Sequence, residues 1–452
     1  MSRRIILLLI LMGTVLLGIL VTPTVLRAVP PRYLARLPKP IQDIGAPPQK
    51  VAILPTVAIT ADLSLLLNPI ATPAPPATLL PPTNTPLANA SQLLATATPP
   101  ASPTLPPTLP ATFTPPPPTP TLIPIPRTAR LEGITHQFQE WNNCGPATLA
   151  MTLSYFGIRI NQNTTAAVLK PNPEDRNVTP QEMAAYVQNQ TDVEAITRAN
   201  GDAFTVRRLI AAGFPVILEI GIEPPGEFRW MGWYGHYMLV VAYDDDRQQF
   251  WVYDSWLGTS DEPLQNADVD GRDLPYSTVA EFWPHFNRNY IVLYPPERAA
   301  EVAEIIGENM DDATMWQNAL YAIRAETAAN PDNAFNWFNL GTTYNALGQY
   351  AEAAAAFDQA RAIGLPWRML WYQFGPYEAY YQTGRYDDII LLADVTLENR
   401  PYFEESFYYK GLAEEALGNV QSARQNLQQA ANFNPNFAPA AAALSKIENG
   451  GS

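Results

Sequence analysis

The stretch Gln139-Glu140-Trp141-Asn142-Asn143-Cys144-Gly145-Pro146-Ala147-Thr148 carries the single cysteine of a 452-residue chain. Pro146 suits the first position of a helix, where its missing N–H would have no partner anyway. Leu149, Leu153 and Phe156 then recur at i, i+4 and i+7, and Gly157 can end the helix. Cys144 is thus expected just before the N-terminus of a buried helix. The macrodipole and the unpaired N–H groups there stabilise a thiolate. A buried structural cysteine is the alternative, since free cysteine is commonly buried. Asn142 and Asn143 before the thiol and Gly-Pro after it weigh against that alternative.

A nucleophilic thiol needs a base, and the chain has three histidines, His136, His236 and His285. His236 opens an apolar strand, Tyr237-Met238-Leu239-Val240-Val241-Ala242-Tyr243. Asp244-Asp245-Asp246-Arg247 reads as a turn, and Gln249-Phe250-Trp251-Val252-Tyr253-Asp254 as the returning strand. A regular hairpin about residue 245 places Asp254 directly opposite His236, with both side chains on one face. The carboxylate then orients the imidazole and fixes its tautomer. His136, on an extended segment before the thiol, is the weaker candidate base, and His285, between Pro284 and Phe286, reads as structural. Acyl transfer also needs donors for an oxyanion. The Cys144 N–H supplies one, and the Gln139 side-chain amide can supply another, with Gln137 as the competing choice.

With these residues in view, the segment from about residue 131 to 296 resembles the papain-like cysteine peptidases related to the bacteriocin-processing, double-glycine-leader peptidases. The resemblance rests on Gln139 with Cys144-Gly145-Pro146-Ala147, on Gly235-His236-Tyr237-Met238-Leu239-Val240-Val241, and on Tyr253-Asp254-Ser255. Phe204 to Leu218, with Gly213-Phe214-Pro215, is similar to that family's helix, Gly-x-Pro turn and strand. It implies Cys144 as nucleophile, His236 as base, Asp254 as orienter and Gln139 as oxyanion donor. It also implies an α+β papain-like domain, with the Cys on an N-terminal helix and the His and Asp on an antiparallel sheet, and no cofactor. Members of that family sit on ABC transporters and face the cytoplasm. This chain carries no transporter, so the leader-peptide substrate is not carried over.

Smaller features are less specific. Thr179-Pro180-Gln181-Glu182 is a capping-box start for a helix to Asn189. The aromatic run between Gly226 and Gly235 either walls a cleft or packs a loop. Asp268-Val269-Asp270-Gly271-Arg272-Asp273 lacks the spacing of a calcium loop and reads as a solvated turn.

From residue 299 the chain becomes Ala-rich and periodic. Trp337, Leu340, Gly341, Tyr344, Ala353, Phe357 and Ala360 fit the 34-residue tetratricopeptide pattern. The reading is a degenerate repeat at 300–333, a clear one at 334–367, an aromatic variant at 370–403, a further one at 404–437 and a cap at 438–448. Such an all-α solenoid is expected to bind a protein partner or an extended substrate. Its aromatic residues, among them Trp367, Trp371, Tyr377, Tyr380, Tyr381, Tyr408 and Tyr409, are core by default.

The N-terminal part differs in kind. Arg3 and Arg4 precede an apolar run, Ile5 to Val21, about 25 Å long as a helix. Residues 1–45 are expected to be an uncleaved signal-anchor crossing a membrane once, with a cleaved secretory signal as the alternative. Residues 46–126 contain 23 of the chain's 46 prolines. Proline fixes φ and removes a donor, so this stretch reads as a disordered linker and stalk, with the more apolar Val51–Leu67 partly ordered. The organisation expected is therefore an anchor (1–45), a linker (46–126), a peptidase-like domain (127–298) and repeats (299–448), with the folded parts outside the cytoplasm.

Composition narrows the function. The last 332 residues carry 21 Lys and Arg against 41 Asp and Glu, about −20, which makes nucleic acid an unsuitable partner. One cysteine excludes an intrachain disulfide and a cysteine-rich zinc site. The function expected is hydrolysis of peptide or amide bonds by a Cys–His–Asp triad. The alternatives are a transglutaminase-like or amidase acyl transfer by the same triad, and a non-catalytic peptide-binding scaffold.

Overall fold

The computed structural model of the chain describes residues 53–59, 63–67, 125–175, 177–223, 232–266 and 270–449. The expected signal-anchor lies outside the described residues, as does most of the proline-rich stretch. Among the described residues no helix is long and apolar enough to cross a membrane.

Seven antiparallel strands form one sheet among the described residues. They are β1 (Thr128–Arg130), β2 (Glu194–Arg198), β3 (Val216–Ile222), β4 (Tyr234–Asp244), β5 (Gln249–Asp254), β6 (Arg272–Pro275) and β7 (Tyr290–Tyr294). The order is β2-β7-β3-β4-β5-β6, and β1 pairs with the far end of β4. Every residue of β3 is buried, which fits a strand covered on both faces. One face, through Ile217, Leu239 and Val241, packs on α1 (Cys144–Tyr155) and α3 (Pro180–Gln190). The other face, through Leu218, Ile220, Met238 and Val240, packs on Val206, Leu209 and Ile210 of α4 (Ala203–Ala211). A short α2 (Gln162–Leu169) sits beside α1 and is capped by Asn161, whose side chain accepts from Asn163 N and Thr164 N.

Two local expectations are refined. The helix after the thiol begins at Cys144 itself, with Asn143 as N-cap, so Pro146 is its third residue rather than its first. All ten residues from Gly145 to Ser154 are buried, so it is covered all round instead of showing one apolar stripe. The capping box at Thr179 and Glu182 is formed, and its helix runs to Gln190.

The repeats follow as paired helices, α8 (Ala334–Ala346) with α9 (Tyr350–Ile363), α10 (Gly375–Gln382) with α11 (Tyr386–Asn399), and α12 (Glu404–Ala416) with α13 (Val420–Phe433). The cap is α14 (Ala438–Glu448). A Cβ on Gly341 would stand 2.7 Å from the Phe357 ring, and one on Gly411 would stand 2.8 Å from Leu427. These glycines let paired helices approach closely. Gly307, at the matching place in the first repeat, has nothing within 4 Å of such an atom. That repeat is irregular, with α6 (Ala299–Ile306) ending at Gly307 and a long α7 (Asp312–Ala329) after it.

Within the stretch read as linker, the described part of the apolar patch is ordered. Residues 53–59 and 63–67 dock on the repeats. Ile53 bridges Pro366, and Leu54 N donates to Leu365 O at 2.9 Å. Arg361 Nε donates to Pro55 O (3.0 Å), while Tyr344 Oη (2.6 Å) and Arg324 Nε (3.0 Å) donate to Leu66 O. Leu54 and Leu66 are buried in the repeat core. These residues belong to the apolar patch of the linker, and the two buried leucines, with the hydrogen bonds above, contribute toward the cost of ordering them. The peptidase-like part and the repeats group into one compact unit with these residues.

Candidate active site

Cys144 occupies the first turn of α1, where the early N–H groups lack intrahelical acceptors. The turn into it is built by Asn142 in the left-handed region (φ 55°), which asparagine tolerates better than most residues. The buried Lys170 ammonium holds this loop by donating to the carbonyls of Trp141 (3.4 Å), Asn142 (3.1 Å), Pro173 (3.2 Å) and Asp175 (2.9 Å). Gln162 Oε1 accepts from Glu140 N at 2.6 Å and Asn143 Nδ2 at 3.3 Å, and its Nε2 donates to Phe138 O at 2.8 Å. Neither Lys170 nor Gln162 was legible as a site residue, because each acts on loop backbone and belongs to no motif.

His236 and Asp254 do meet, by a different register from the expected one. Asp254 stands opposite Met238 in the ladder, and a bulge lies between Val240 and Ala242. At the site the offset from direct opposition is two residues. An even offset keeps both side chains on one face, so His236 Nε2 donates to Asp254 Oδ1 across the diagonal at 2.8 Å. Asp254 is fully buried, and its Oδ1 also accepts from Trp256 N (2.7 Å) and Leu257 N (3.0 Å).

The electrostatics follow from these contacts. Burial alone would raise the Asp254 carboxyl, but His236 and the Leu257 N–H outweigh it and hold it below the ordinary range. Burial alone would lower His236, but the Asp254 charge and hydrogen bond, together with the Cys144 thiol as a second partner, push it up to about 10. With Nε2 on Asp254, Nδ1 is the ring nitrogen left for the thiol. The arrangement can therefore hold a proton on the imidazole beside the sulfur at neutral pH.

The other histidines have different work. His136 Nδ1 accepts from Asn266 Nδ2 at 3.0 Å, so its Nε2–H donates to the Asp254 carbonyl at 2.9 Å. Burial lowers its pKa, and it acts as a neutral brace on the β5 end. His285 Nδ1 accepts from Trp233 Nε1 at 3.0 Å and stacks on Phe335, and burial takes it down to about 3.

Gln139 is pinned beside Asp254, its N–H donating to Ser255 O (2.7 Å) and its Oε1 accepting from Ser255 Oγ (3.0 Å). Gln137 is committed to the start of α2. Its Nε2 donates to Ile160 O and its Oε1 accepts from Gln162 N. Of the two, Gln139 is the one held next to the His–Asp pair.

A cleft in front of the thiol is lined by Cys144, Gly145, His236, Asn177, Glu219 and Tyr372, among others. Tyr372 follows α9 in the repeat region, so the repeats contribute to the wall of this cleft. Of the aromatic run before Gly235, Trp233 packs in the repeat-side core with Phe286, while residues 224–231 lie outside the described residues. Among the described residues no group of His, Cys, Asp and Glu is arranged to hold a metal ion.

Residues 128–289 match the Peptidase_C39 like family. A second family match, to the tetratricopeptide repeat, covers 326–355. The C39-like segment is also similar to two solved structures. One is a double glycine motif protease from an AMS/PCAT transporter, determined in complex with the leader peptide. It is 12% identical with a TM-score of 0.26, over 37% of this chain and 94% of that one. The other is a C39-like peptidase from Bacillus anthracis, 14% identical with a TM-score of 0.29, over 37% of this chain and 96% of that one. No curated protein matches the chain.

Proposed function

We propose that this chain is a cysteine peptidase in which the Cys144 thiolate attacks a peptide or amide carbonyl. His236 takes and returns the proton, Asp254 orients the imidazole, and Gln139 with the Cys144 N–H stabilises the oxyanion. A thioester forms as the amine leaves, and water releases the acid. The observation that carries this reading is the buried contact chain from Asp254 through His236 to Cys144. The repeats would bind a protein partner or an extended part of the substrate, and Tyr372 would bring that binding to the cleft. The N-terminal apolar run would anchor the chain in a membrane with its folded part outside the cytoplasm, or be cleaved on secretion.

The full chain incubated with a diverse peptide library should release products that Cys144→Ala does not. Absence of turnover in both would remove the peptidase reading. Transfer of the acyl group to added amines in place of hydrolysis would favour an acyltransferase.

A further inference from the structure

The cleft in front of Cys144 contains an acid that the reaction leaves unused. Glu219, 5% exposed, comes from β3 opposite Tyr237 and lines the cleft with Cys144 and His236. Its Oε2 accepts from Asn289 Nδ2 at 2.9 Å. Its Oε1 lies 3.3 Å from Tyr237 Oη, while the Val178 carbonyl takes the Tyr237 proton at 2.7 Å. A hydroxyl has one hydrogen, so the longer contact becomes a full hydrogen bond when Glu219 itself is protonated. Burial correspondingly pushes this carboxyl up to about 7.

The surroundings are acidic as well. Asn177, another lining residue, donates to Glu405 Oε1 at 3.2 Å from its side chain and to Asp175 Oδ1 at 2.9 Å from its backbone. Asp175, Glu404 and Glu405 are buried together. The cation among them, Lys170, is wrapped by four loop carbonyls. On the other side His236 is balanced by Asp254.

We propose that Glu219 is a specificity-determining residue, which makes this cleft accept a basic substrate side chain beside the scissile bond and refuse an acidic one. The inference rests on the reading of Cys144 as the nucleophile. An entering ammonium or guanidinium makes a charge-assisted bond to the carboxylate and holds it ionised. Among the described residues, an entering carboxylate meets a buried acid with no lysine or arginine lining the cleft beside it.

Cys144 is the only cysteine in the chain, so methanethiosulfonate reagents report on this cleft alone. The full chain is treated at about pH 8 with the cationic trimethylammonioethyl, the anionic sulfonatoethyl and the neutral methyl reagent. Each rate is divided by that of 2-mercaptoethanol. The cationic-to-anionic ratio should exceed unity by about tenfold or more, the effect of one nearby charge at low effective dielectric. Glu219→Gln should bring it most of the way back. An unchanged ratio in Glu219→Gln, or a wild-type ratio near unity, overturns the proposal. Should that variant not fold, the wild-type ratio is followed between about pH 5.5 and 8.5. It should rise through neutrality, and still rise in Glu404→Gln, whose removed carboxyl titrates in the same window. A flat ratio overturns the proposal. The neutral reagent separates the two readings. If it reacts no faster than with free thiol, Cys144 is not activated, and the charge ratio still decides the role of Glu219.

Discussion

The raised pKa of His236 makes the site sensitive to pH from the alkaline side. His236 is pushed up to about 10 in the fold, against about 6.5 in an unfolded chain. A raised pKa contributes stability that is complete below the unfolded value and is lost as pH rises through the folded one. Thermal unfolding of the full chain should therefore show a stabilising contribution that fades between about pH 6.5 and 10. In His236→Ala that part of the slope should vanish. An identical slope in both proteins would contradict the assignment of the imidazolium. Asp254 works in the opposite sense, since its lowered pKa gives stability that is lost as pH falls through the folded value. Asp254→Asn keeps the shape but removes the charge that favours the imidazolium. It should slow alkylation of Cys144 at about pH 6 by a factor of ten or more.

At the scale of elements, the helix at the thiol and the His–Asp hairpin were readable from local residue order, and the Gly-x-Pro turn from the family resemblance. The hairpin register was not, since its bulge between Val240 and Ala242 has no local signal. The even offset spared the pairing of His236 with Asp254. Gln139 and Gln137 could not be separated by spacing, and only the long-range bond to Ser255 tells them apart. Glu219 was visible as the one acid in the apolar run Val216–Ile222, but its place in the cleft depends on how loop 177–178 and Tyr372 close over it. In the repeats, the period of 34 located the glycines, and the packing explains them. Gly341→Ala would force its Cβ onto the Phe357 ring. This should destabilise the chain by about 1–3 kcal/mol. Gly307→Ala, whose new atom meets nothing, serves as a comparison for steric contact, though its positive φ of 69° carries its own strain.

For the whole molecule, two of the long-range contacts among the described residues carry predictions. One is the docking of residues 53–59 and 63–67 on the repeats. Leu54→Asp would place a carboxylate in the repeat core beside Leu365. It should release the segment, read as new protease cleavage between residues 53 and 67. Unchanged protection would contradict the docking. The apolar patch signalled local order but not the surface it docks on, because a proline-rich composition reports only that a stretch cannot build its own core. The other is the acidic contact between the Asn177 loop and α12. Glu404 is raised to about 7, and Asp175 and Glu405 are raised well above the ordinary carboxylate range, chiefly by burial. Carboxyls with raised pKa values stabilise the fold at low pH and cease to as pH rises through those values. The melting temperature should fall from about pH 5 to 8, and Glu405→Gln should flatten that fall. The Asn177 loop also lines the Cys144 cleft, so this contact links the repeats to the site.

The central claim is the proposal that His236 activates Cys144 as the nucleophile, and the rate of Cys144 alkylation by iodoacetamide at about pH 6 tests it most directly. A free cysteine is well under one per cent ionised there, as its pKa of about 8.5 requires. The account predicts that Cys144 reacts about a hundredfold faster than free cysteine and that His236→Ala removes the advantage. A wild-type rate equal to that of free cysteine, or one unchanged by His236→Ala, would contradict it.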